Sequence, residues 1–448
     1  MYLKFLHISD WFVRTFGFLF RKHARLAKDF DERLVASETW GEELKNSTHR
    51  VWIQAASLGE SLLTQELVLA LVQKIKQDSK DNTAQKLGLL LTSGTQEGKN
   101  ELLKIKGLVN NNELNICVKL FPLFTQAYMR LALEKTRPSL VVLLETEIWP
   151  GLLLACVEHK VPLIILNARM SEKSFKRYSL MQKLWNHFDD NNVPQEVLAI
   201  SELDAKRYAS LFKHAAVKEM PNIKFSRATR PLNPERIETL RLLFSADLSC
   251  PILLFASVRA EEEEQLLLVI QQVKKQMPEL VVVIVPKHLE RAAGWEDKIK
   301  ELNPEFNLRL RSTVNKDAPI TCNEIIIWNT TGELVALYNL AHSVFVGGTL
   351  LSELGGQNFI EPLIYGIRPF IGPYWKNFEW VGDAPFKLGL VRVVPNIKEL
   401  AQALIDDLKT KQDREASKAK AYEWLETEQG GAEQAAEAIL KYLKIGYD

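Results

Sequence analysis

Short apolar runs alternate with longer amphipathic stretches along the chain beyond about residue 50. The runs are rich in Leu and β-branched residues, whereas apolar residues in the intervals recur with helical spacing. Such alternation is typical of parallel sheets that helices cover on both faces. The pattern predicts strands at residues 51–56, 87–92, 116–121, 140–145, 163–166 and 197–200, and a second series at 253–256, 280–285, 325–328, 344–346 and 369–371.

Polar residues and turn formers separate the two series of strands. The predicted fold class is therefore α/β, with two doubly wound domains joined near residues 225–249. We assign residues 51–235 to the N-terminal domain and residues 236–448 to the C-terminal domain. Residues 1–50 form a separate N-terminal segment, and the sequence beyond Glu399 predicts helices only.

The first 28 residues combine positive charge with large apolar side chains. They hold six Lys or Arg residues and one acidic residue, Asp10. Phe5, Phe12 and Phe16 recur at helical spacing, but the longest apolar run is too short to cross a bilayer. Two interpretations stay open: an interfacial helix on an anionic membrane surface, or a helix docked on its own domain.

Composition places the chain among ordinary globular proteins. Of its 448 residues, 46% are hydrophobic and 25% are charged, and 57 basic residues against 56 acidic ones give a net charge of +1. This balance excludes a broad nucleic-acid-binding surface as the main feature. Four cysteines lie far apart without a C-x-x-C spacing. The sequence therefore predicts neither a disulfide framework nor a structural zinc site, and a reducing compartment fits best.

Ligands of open α/β sheets bind beyond the carboxyl ends of the strands, so the residues after each strand are the candidate sites. Ser57, Gly59 and Glu60 follow the first strand, with Glu60 at or near a helix start. Its carboxylate would act as a general base for a hydroxyl nucleophile. The alternative is an acid that only favours the helix dipole. Ser93 and Gly94 follow the second strand and suit either an anion at a helix N-terminus or a plain helix cap.

Charged side chains follow two further strands of the first series. Glu145 and Glu147 come directly after the fourth strand, where paired carboxylates suggest acid–base or sugar-hydroxyl chemistry, or else a capping pair. Arg169 follows the fifth strand and would hold a phosphate or a carboxylate with two hydrogen bonds. A structural salt bridge is the alternative for this arginine.

Cationic side chains follow two strands of the second series. Ser257 and Arg259 end one strand and precede the acidic stretch 261–264, and Lys287 and His288 follow the next strand. Positive groups at one sheet edge suit an anionic ligand. A histidine after a strand is more often structural, but a Lys-His pair beside an arginine is less easily explained in that way.

Glycines and polar residues dominate the other strand ends of the second series. Gly332 and Glu333 open a predicted helix, and downstream come Gly355, Gly356, Gln357, Asn358 and Glu361. Glycines allow close backbone approach to a ligand. Asn358 and Glu361 would share one helix face at i, i+3 spacing, where a carboxylate suits a ribose diol. Because no G-x-G-x-x-G segment is present, hydride transfer loses support. The alternative is a glycine-rich loop with a buried cap, but the number of such strand ends in one domain favours nucleotide binding.

Five ordered segments resemble the motifs of the 3-deoxy-D-manno-octulosonic acid (Kdo) transferases of lipopolysaccharide assembly. They are Ala-Ser-Leu-Gly-Glu at 56–60, Glu-Thr-Glu-Ile-Trp-Pro at 145–150, Asn-Ala-Arg-Met-Ser at 167–171, Asn-Ile-Lys-Phe at 222–225, and Gly-Gly-Gln-Asn with Glu-Pro between 355 and 362. The resemblance depends on the order of all five. The chain departs from the family pattern at Gln357, Leu289 and Pro221, where His, Pro and Gly are usual.

The resemblance implies a fold and an activity. The family fold is GT-B, with two Rossmann-like doubly wound domains facing a central cleft. The implied reaction is an inverting transfer of Kdo from CMP-Kdo to a lipid A precursor, lipid IVA, with release of CMP. No cofactor or metal is expected, because cationic side chains and helix N-termini can stabilise the CMP leaving group.

The resemblance also implies partners and a location. The partners are CMP-Kdo, the lipid A precursor and the membrane surface, and nucleic acid is not among them. The location is the cytoplasmic face of the bacterial inner membrane, with peripheral or N-terminal attachment. A lipid acceptor favours the membrane interpretation of the N-terminal segment, because the enzyme then needs to reach the bilayer.

Roles for individual residues follow from the same resemblance. Glu60 matches the general base that takes the proton of the acceptor hydroxyl. The residues implied to bind the donor are Ser257, Arg259, Lys287, His288, Gly332, Glu333, Gly355, Gly356, Gln357, Asn358 and Glu361. The residues assigned to the acceptor or to the hinge are Ser57, Gly59, Ser93, Gly94, Glu145, Glu147, Arg169 and Lys224.

Two other classes of function stay open. Another GT-B glycosyltransferase, using a nucleotide-activated sialic acid or hexose, would share the fold without needing all five motifs. Competition between donors distinguishes this class. A catalytically idle, membrane-bound lipid-binding protein would bind CMP without turnover.

Overall fold

The computed structural model describes residues 30–35, 40–78, 87–109, 114–123, 125–146, 148–228, 234–410 and 413–443. The basic segment 1–28 and Glu147 lie outside these ranges. The chain divides into two compact units. Unit 1 comprises Met1–Arg227 and Glu428–Asp448, and unit 2 comprises Ala228–Thr427.

Unit 1 contains seven parallel strands in the described ranges, with helices between them. The elements are α1 (Phe30–Arg33), β1 (His49–Ala55), α2 (Leu58–Asp78), β2 (Leu87–Ser93), α3 (Gln96–Leu108), β3 (Leu114–Leu120), α4 (Gln126–Thr136), β4 (Leu140–Leu144), α5 (Pro150–His159), β5 (Leu163–Ala168), α6 (Glu172–Ser179), α7 (Gln182–Asp190), β6 (Glu196–Ala199), α8 (Glu202–Leu211), β7 (Ala216–Glu219) and α9 (Lys224–Ala228). The strand order is β3-β2-β1-β4-β5-β6-β7.

Unit 2 repeats this architecture, again with seven parallel strands among its described residues. The elements are α10 (Pro234–Arg241), β8 (Ile252–Val258), α11 (Glu263–Gln276), β9 (Val281–Pro286), α12 (Ala292–Leu302), β10 (Asn307–Leu310), β11 (Glu324–Ile327), α13 (Leu334–Leu340), β12 (Ser343–Val346), β13 (Phe370–Ile371), α14 (Ala384–Lys387), β14 (Arg392–Val393), α15 (Ile397–Lys409) and α16 (Arg414–Thr427). The strand order is β10-β11-β9-β8-β12-β13-β14. The last helix, α17 (Gly431–Leu443), returns to unit 1. No helix in the described part of the chain is long and apolar enough to span a membrane.

The α/β prediction is confirmed, and all the predicted strands are present. Each of them begins and ends within two residues of the predicted bounds. The described chain contains three strands that the pattern missed, β7, β10 and β14, and all three are edge strands. Their residues are mostly exposed or half-buried. An edge strand has a neighbour on one side only, so it needs no continuous apolar run.

Apolar strand residues face helices on both sides of each sheet. In unit 1, Val51 and Ile53 of β1 lie in the core cluster formed with α2, α3 and α17. Trp52, between them, lies in the cluster formed with α4 and α5. All three side chains are fully buried, and each contributes about 1.5–3 kcal/mol of hydrophobic stabilisation. Burial on both faces explains why the central strands have uninterrupted apolar sequences.

Helix α17 packs in the core of unit 1, whereas the sequence-based division places residues 428–448 in the C-terminal domain. Its residues Ala435, Ile439 and Leu443 are buried in the same cluster as the inner strands of unit 1. Lys441 adds an ion pair of 3.2 Å with Glu196, the buried first residue of β6. The pattern of a sequence shows that a helix has an apolar face, but it does not show which sheet that face covers.

Cys250 and Cys322 form a disulfide, so the expectation of no disulfide is wrong. The two residues are 72 positions apart, a spacing that gives no signal in the sequence. They precede β8 and β11, and both of these strands pair in parallel with β9. Parallel pairing places the amino ends of the strands at one sheet edge, where the two cysteines meet.

His342, whose ring nitrogen is hydrogen-bonded to the start of β8, predicts a pH-dependent stability. Its Nδ1 accepts a hydrogen bond of 3.0 Å from the N–H of Ile252. Partial desolvation of the imidazole ring, and secondarily the positive charge of Arg414, lower the pKa of His342 from its usual value. The unfolded chain then binds a proton that the folded chain does not. The stability contribution is therefore complete above about pH 6.5 and decreases as the pH falls towards the folded pKa.

We expect His342→Asn to reduce this pH dependence, because asparagine offers an acceptor oxygen but does not titrate. Urea unfolding at about pH 7.5 and about pH 5.5 measures the difference. If the wild type and the His342→Asn variant lost the same stability between these pH values, the assignment to His342 would be contradicted.

Candidate functional site

The carboxyl ends of four neighbouring strands of unit 1 bring most of the predicted N-terminal residues to one edge. Strands β2, β1, β4 and β5 are adjacent in the sheet and all parallel. The carboxyl ends of these strands and the segments that follow them carry, in this order, Ser93 and Gly94, Ser57 to Glu60, Glu145, and Arg169. The strand order therefore brings four segments, each singled out separately in the sequence, to one edge of the sheet.

Glu60 is the third residue of α2 and keeps 7% of its surface exposed. One carboxylate oxygen, Oε2, accepts a hydrogen bond from the N–H of Ala56. The other, Oε1, accepts one of 3.3 Å from the hydroxyl of Ser57. These contacts cap the helix start, and the place of Glu60 in the first turn also agrees with the alternative of an acid that favours the helix dipole. A carboxylate has about four acceptor positions, so capping does not prevent Glu60 from accepting the proton of a substrate hydroxyl.

Gly94 and Ser93 have structural reasons for their identities. A Cβ at Gly94 would lie 2.5 Å from the carbonyl oxygen of Ala56, which is a steric clash with the backbone. Glycine therefore allows the segment after β2 to pack against the segment after β1. Ser93 is fully buried. The hydroxyl of Thr95 caps α3 by accepting the N–H of Gly98 at 3.0 Å. The contacts agree with the plain-cap alternative here. Gly59 is exposed, and a Cβ there would meet nothing closer than 3.7 Å.

Glu145 forms an ion pair with Lys224 at the same edge. Its Oε1 lies 2.6 Å from the Nζ of Lys224, and both side chains are largely buried. Glu145 has a φ of 55°, a left-handed conformation that is unfavourable for a residue with a Cβ. Lys224 is the first residue of α9. The structure thus joins two of the predicted acceptor or hinge residues, while Glu147 lies outside the described residues.

Arg169 is half-buried at the end of β5. Its guanidinium has no hydrogen-bond or ion-pair partner among the residues that the structure describes. The next residue is fixed, because the N–H of Met170 donates to Asp204 at 2.7 Å and its carbonyl accepts from Arg207. The structural salt bridge considered for Arg169 is therefore not seen within the described ranges.

In unit 2, the adjacent strands β9 and β8 gather the predicted cationic residues. The Nη1 of Arg259 lies 3.2 Å from the Nε2 of His288, and Lys287 between the strand and His288 is exposed. Lys287 has no side-chain partner in the described part of the chain. Ser257 has a φ of 53°, which turns the chain sharply before Arg259. Three cationic or protonatable groups therefore share one sheet edge.

Sequence reasoning missed Glu262, which is fully buried and accepts hydrogen bonds from four backbone N–H groups. Its Oε2 accepts from the N–H groups of Gly348 at 2.6 Å and Arg259 at 3.2 Å. Its Oε1 accepts from Thr349 at 2.9 Å and Leu350 at 3.0 Å. The glycine-rich turn after β12 thus donates its N–H groups to a carboxylate of this chain. These N–H groups are therefore already used, and they do not form an anion site for a ligand.

Glu333 belongs to a network at the end of β11. Its carboxylate accepts from Arg311 at 2.8 Å, from the indole of Trp328 at 2.9 Å and from the hydroxyl of Thr330 at 2.5 Å. These contacts use both oxygens of Glu333, so they clamp the loop after β11. Gly332 has a φ of 79° and is exposed beside this clamp.

Asn358 and Glu361 meet, but in a different way from the prediction. The Nδ2 of Asn358 donates to the Oε1 of Glu361 at 2.9 Å. Glu361 begins a short 3-10 helix, Glu361–Tyr365, whereas Asn358 lies in the preceding loop. The two residues therefore do not share a helix face. Asn358 and Glu361 are close together, as their i, i+3 spacing suggested. Their contact is made by a loop residue and the first residue of a 3-10 helix, and not by two residues of one α-helical turn.

Gly355 and Gly356 shape that loop, and Gln357 lies within it. Both glycines have positive φ values, 75° and 91°. These φ values favour glycine over residues with a Cβ, and a Cβ at Gly355 would also lie 2.7 Å from the side chain of Asn377. Gln357 is half-buried. Within the described ranges, no three His, Cys, Asp or Glu side chains are grouped as metal ligands.

Two parallel α/β units define the fold class as GT-B, and solved structures share this fold. The glycosyltransferase from Rickettsia africae superposes with a TM-score of 0.54 at 15% identity, covering 89% of this chain and 100% of its own. The UDP-GlcNAc 2-epimerase from Neisseria meningitidis superposes with a TM-score of 0.53 at 14% identity, covering 88% and 99%. Since the fold serves different reactions, function depends on the site.

Sequence comparisons point to one family within this class. Residues 28–227 match the family model described as 3-deoxy-D-manno-octulosonic-acid transferase (kdotransferase). The 3-deoxy-D-manno-octulosonic acid transferase of Haemophilus influenzae is 26% identical over 88% of this chain and 87% of its own. That of Rickettsia bellii is 26% identical over 83% and 81%. The predicted resemblance to the Kdo transferase family is therefore confirmed.

Proposed function

We propose that this protein transfers Kdo from CMP-Kdo to a lipid A precursor, lipid IVA, with release of CMP, in lipopolysaccharide biosynthesis. The likeness to Kdo transferases over most of the chain supports this reaction. One observation carries the proposal: the family's motif residues lie at the carboxyl edges of both sheets, where α/β proteins bind ligands. In this proposal unit 2 binds the donor and unit 1 binds the acceptor.

The donor chemistry suits the cationic edge of unit 2. CMP-Kdo carries a phosphodiester and a sugar carboxylate, and both are anions. Arg259 and Lys287 offer charge-assisted hydrogen bonds, and the imidazole of His288 adds a ring N–H donor. As CMP leaves, negative charge grows on its phosphate, and fixed cations stabilise that charge more than they stabilise the bound donor. The carboxylate of Glu361, placed by Asn358, is proposed to bind the ribose hydroxyls.

The acceptor chemistry centres on Glu60. The acceptor hydroxyl oxygen attacks the anomeric carbon of Kdo from the face opposite CMP. A new C–O bond forms while the bond between that carbon and the phosphate oxygen breaks, and its electron pair leaves with CMP. The hydroxyl proton passes to the carboxylate of Glu60. A single displacement of this kind inverts the anomeric configuration.

No cofactor is proposed, since the cationic side chains of unit 2 take the role that a divalent ion has in other glycosyl transfers. Retention of full activity in EDTA tests this point.

We also propose attachment to the cytoplasmic face of the inner membrane through the basic segment 1–28. Co-sedimentation of the full chain with anionic vesicles, lost at high salt, tests that attachment.

Replacing Arg259 tests the donor site. We expect Arg259→Gln to raise the Kd for CMP about tenfold to a hundredfold, because a charge-assisted hydrogen bond contributes about 1.5–3 kcal/mol. Calorimetric titration of the full chain with CMP measures the change. Lys300→Gln is the control, since Lys300 forms an exposed pair with Glu296, four residues earlier in α12. An unchanged Kd for CMP in the Arg259→Gln variant would remove Arg259 from the donor site. If the wild-type chain bound UDP more tightly than CMP, the result would favour another nucleotide-sugar donor.

A further inference from the structure

Two loops at the carboxyl edge of unit 1 contain residues in unfavourable backbone conformations. Glu145 after β4 has a φ of 55°, and Asn167 at the end of β5 has a φ of 53°. Left-handed conformations of residues with a Cβ persist only where the surroundings hold them. The contacts that hold these two loops therefore decide where Glu145, Lys224 and Arg169 point.

A single buried phenol connects the two loops. Tyr208, in α8, is fully buried. Its hydroxyl oxygen lies 3.0 Å from the carbonyl oxygen of Glu145 and 3.4 Å from that of Arg169. A hydroxyl has one hydrogen, so the two carbonyls share this donor. The backbone of Glu145 and the backbone of Arg169 are thus tied to the same atom.

Two buried asparagines hold the turn that carries Lys224. The Oδ1 of Asn167 accepts the N–H of Ile223 at 2.9 Å. The Oδ1 of Asn222 accepts the N–H of Lys224 at 3.0 Å. Both asparagines are buried. Because the start of α9 is fixed to the end of β5 in this way, the ammonium of Lys224 lies 2.6 Å from Glu145.

We propose that Tyr208 and Asn167 are positioning residues for the sugar transfer. They place the Glu145–Lys224 pair and the guanidinium of Arg169 at one edge, where these cations bind an acidic group of the acceptor. Tyr208 acts through the carbonyl of Glu145 and the carbonyl of Arg169, and it contacts no reacting atom itself. This inference rests on the proposed function, because it assigns the acceptor to unit 1.

Tyr208→Phe is the sharpest variant, since it removes one oxygen and keeps the ring that fills the core. We expect the KM for the lipid acceptor to rise about fivefold to tenfold, which corresponds to the loss of one ordinary hydrogen bond. The Kd for CMP, a property of unit 2, should not change. A purely structural role would lower the Tm and the amount of active enzyme without this selective change in acceptor KM.

Tyr442→Phe is the matched control. Tyr442 lies in α17 of the same unit, and its hydroxyl interacts with Glu196 at the first residue of β6, the amino end of the sheet. Removal of the Tyr442 hydroxyl should leave the KM for the lipid acceptor unchanged.

A second test uses Asn167. Aspartate retains an oxygen that can accept the N–H of Ile223, so Asn167→Asp should keep more affinity for the lipid acceptor than Asn167→Ala.

Coupling between residues completes the test. If Tyr208 acts through Arg169, the Tyr208→Phe variant should lose little further acceptor affinity when Arg169 is replaced by Met. An unchanged acceptor KM in a Tyr208→Phe enzyme that transfers sugar would overturn this inference alone. A wild-type chain that binds CMP but transfers no sugar would overturn the proposed function and this inference together.

Discussion

Glu60→Gln should lower kcat for sugar transfer by about a hundredfold to ten-thousandfold, the usual contribution of a general base. Glutamine is not basic, so the acceptor hydroxyl would lose its proton to water instead. The helix cap should survive, because the amide oxygen can still accept the N–H of Ala56 that the Oε2 of Glu60 now accepts. Single-turnover measurements of product formation, with CMP binding measured in parallel, separate the chemical step from donor affinity.

Glu66→Gln is the control for this substitution. Glu66 is a second buried carboxylate in the same helix, α2, and lies further from the sheet edge. Its replacement should change kcat little. If the Glu60→Gln enzyme were as active as the wild type, the base would lie elsewhere, and Glu145 would be the next residue to replace.

Glu262→Ala should destabilise unit 2 by about 3 kcal/mol or more. The substitution leaves four buried N–H groups without their acceptor, and each unsatisfied buried donor costs about 1–3 kcal/mol before relaxation. The turn after β12 and the segment of Arg259 would then lose their common anchor. Urea unfolding measured by near-UV circular dichroism detects the loss, because unit 2 contains several buried tryptophans, including Trp295 and Trp328.

Two comparisons make the Glu262 prediction specific. Glu264→Ala removes an exposed acid of the same run, and it should change stability by no more than about 0.5 kcal/mol. Sodium formate supplies a carboxylate of its own, so it should raise the unfolding midpoint of the Glu262→Ala variant more than that of the wild type. Equal stabilities of the Glu262→Ala and Glu264→Ala variants would show that the four contacts do not hold the turn.

Apolar patterning predicted the inner strands because their environment is uniform. β4, with Leu and Val at every position, is buried on both faces, and its bounds in the sequence and the structure nearly coincide. β7 has the sequence Ala-Val-Lys-Glu and is mostly exposed. Its pairing with β6 depends on backbone hydrogen bonds at the sheet edge, which leave no mark on the sequence pattern.

The candidate site was predictable in position and less so in contacts. Parallel sheets align their carboxyl ends, so Glu60, Glu145 and Arg169 could each be assigned to a strand end from the sequence. The strand order that makes these ends neighbours comes from the structure. Glu262 could not be distinguished within a run of four acids. Only the fold shows that Glu262 and Glu263 are both buried, and that Glu262 alone of these two accepts the four N–H groups of the neighbouring turns. Tyr208 reaches Glu145 across 63 positions, and a contact of that range has no local signal.

Product mass is the most direct test of the proposed Kdo transfer. The full chain would be incubated with CMP-Kdo and a bisphosphorylated lipid A precursor, and the lipid would be analysed by mass spectrometry alongside CMP release. The proposal predicts a lipid product heavier by one or more Kdo residues, with one CMP released for each. A folded chain that binds CMP but leaves the lipid mass unchanged would contradict it.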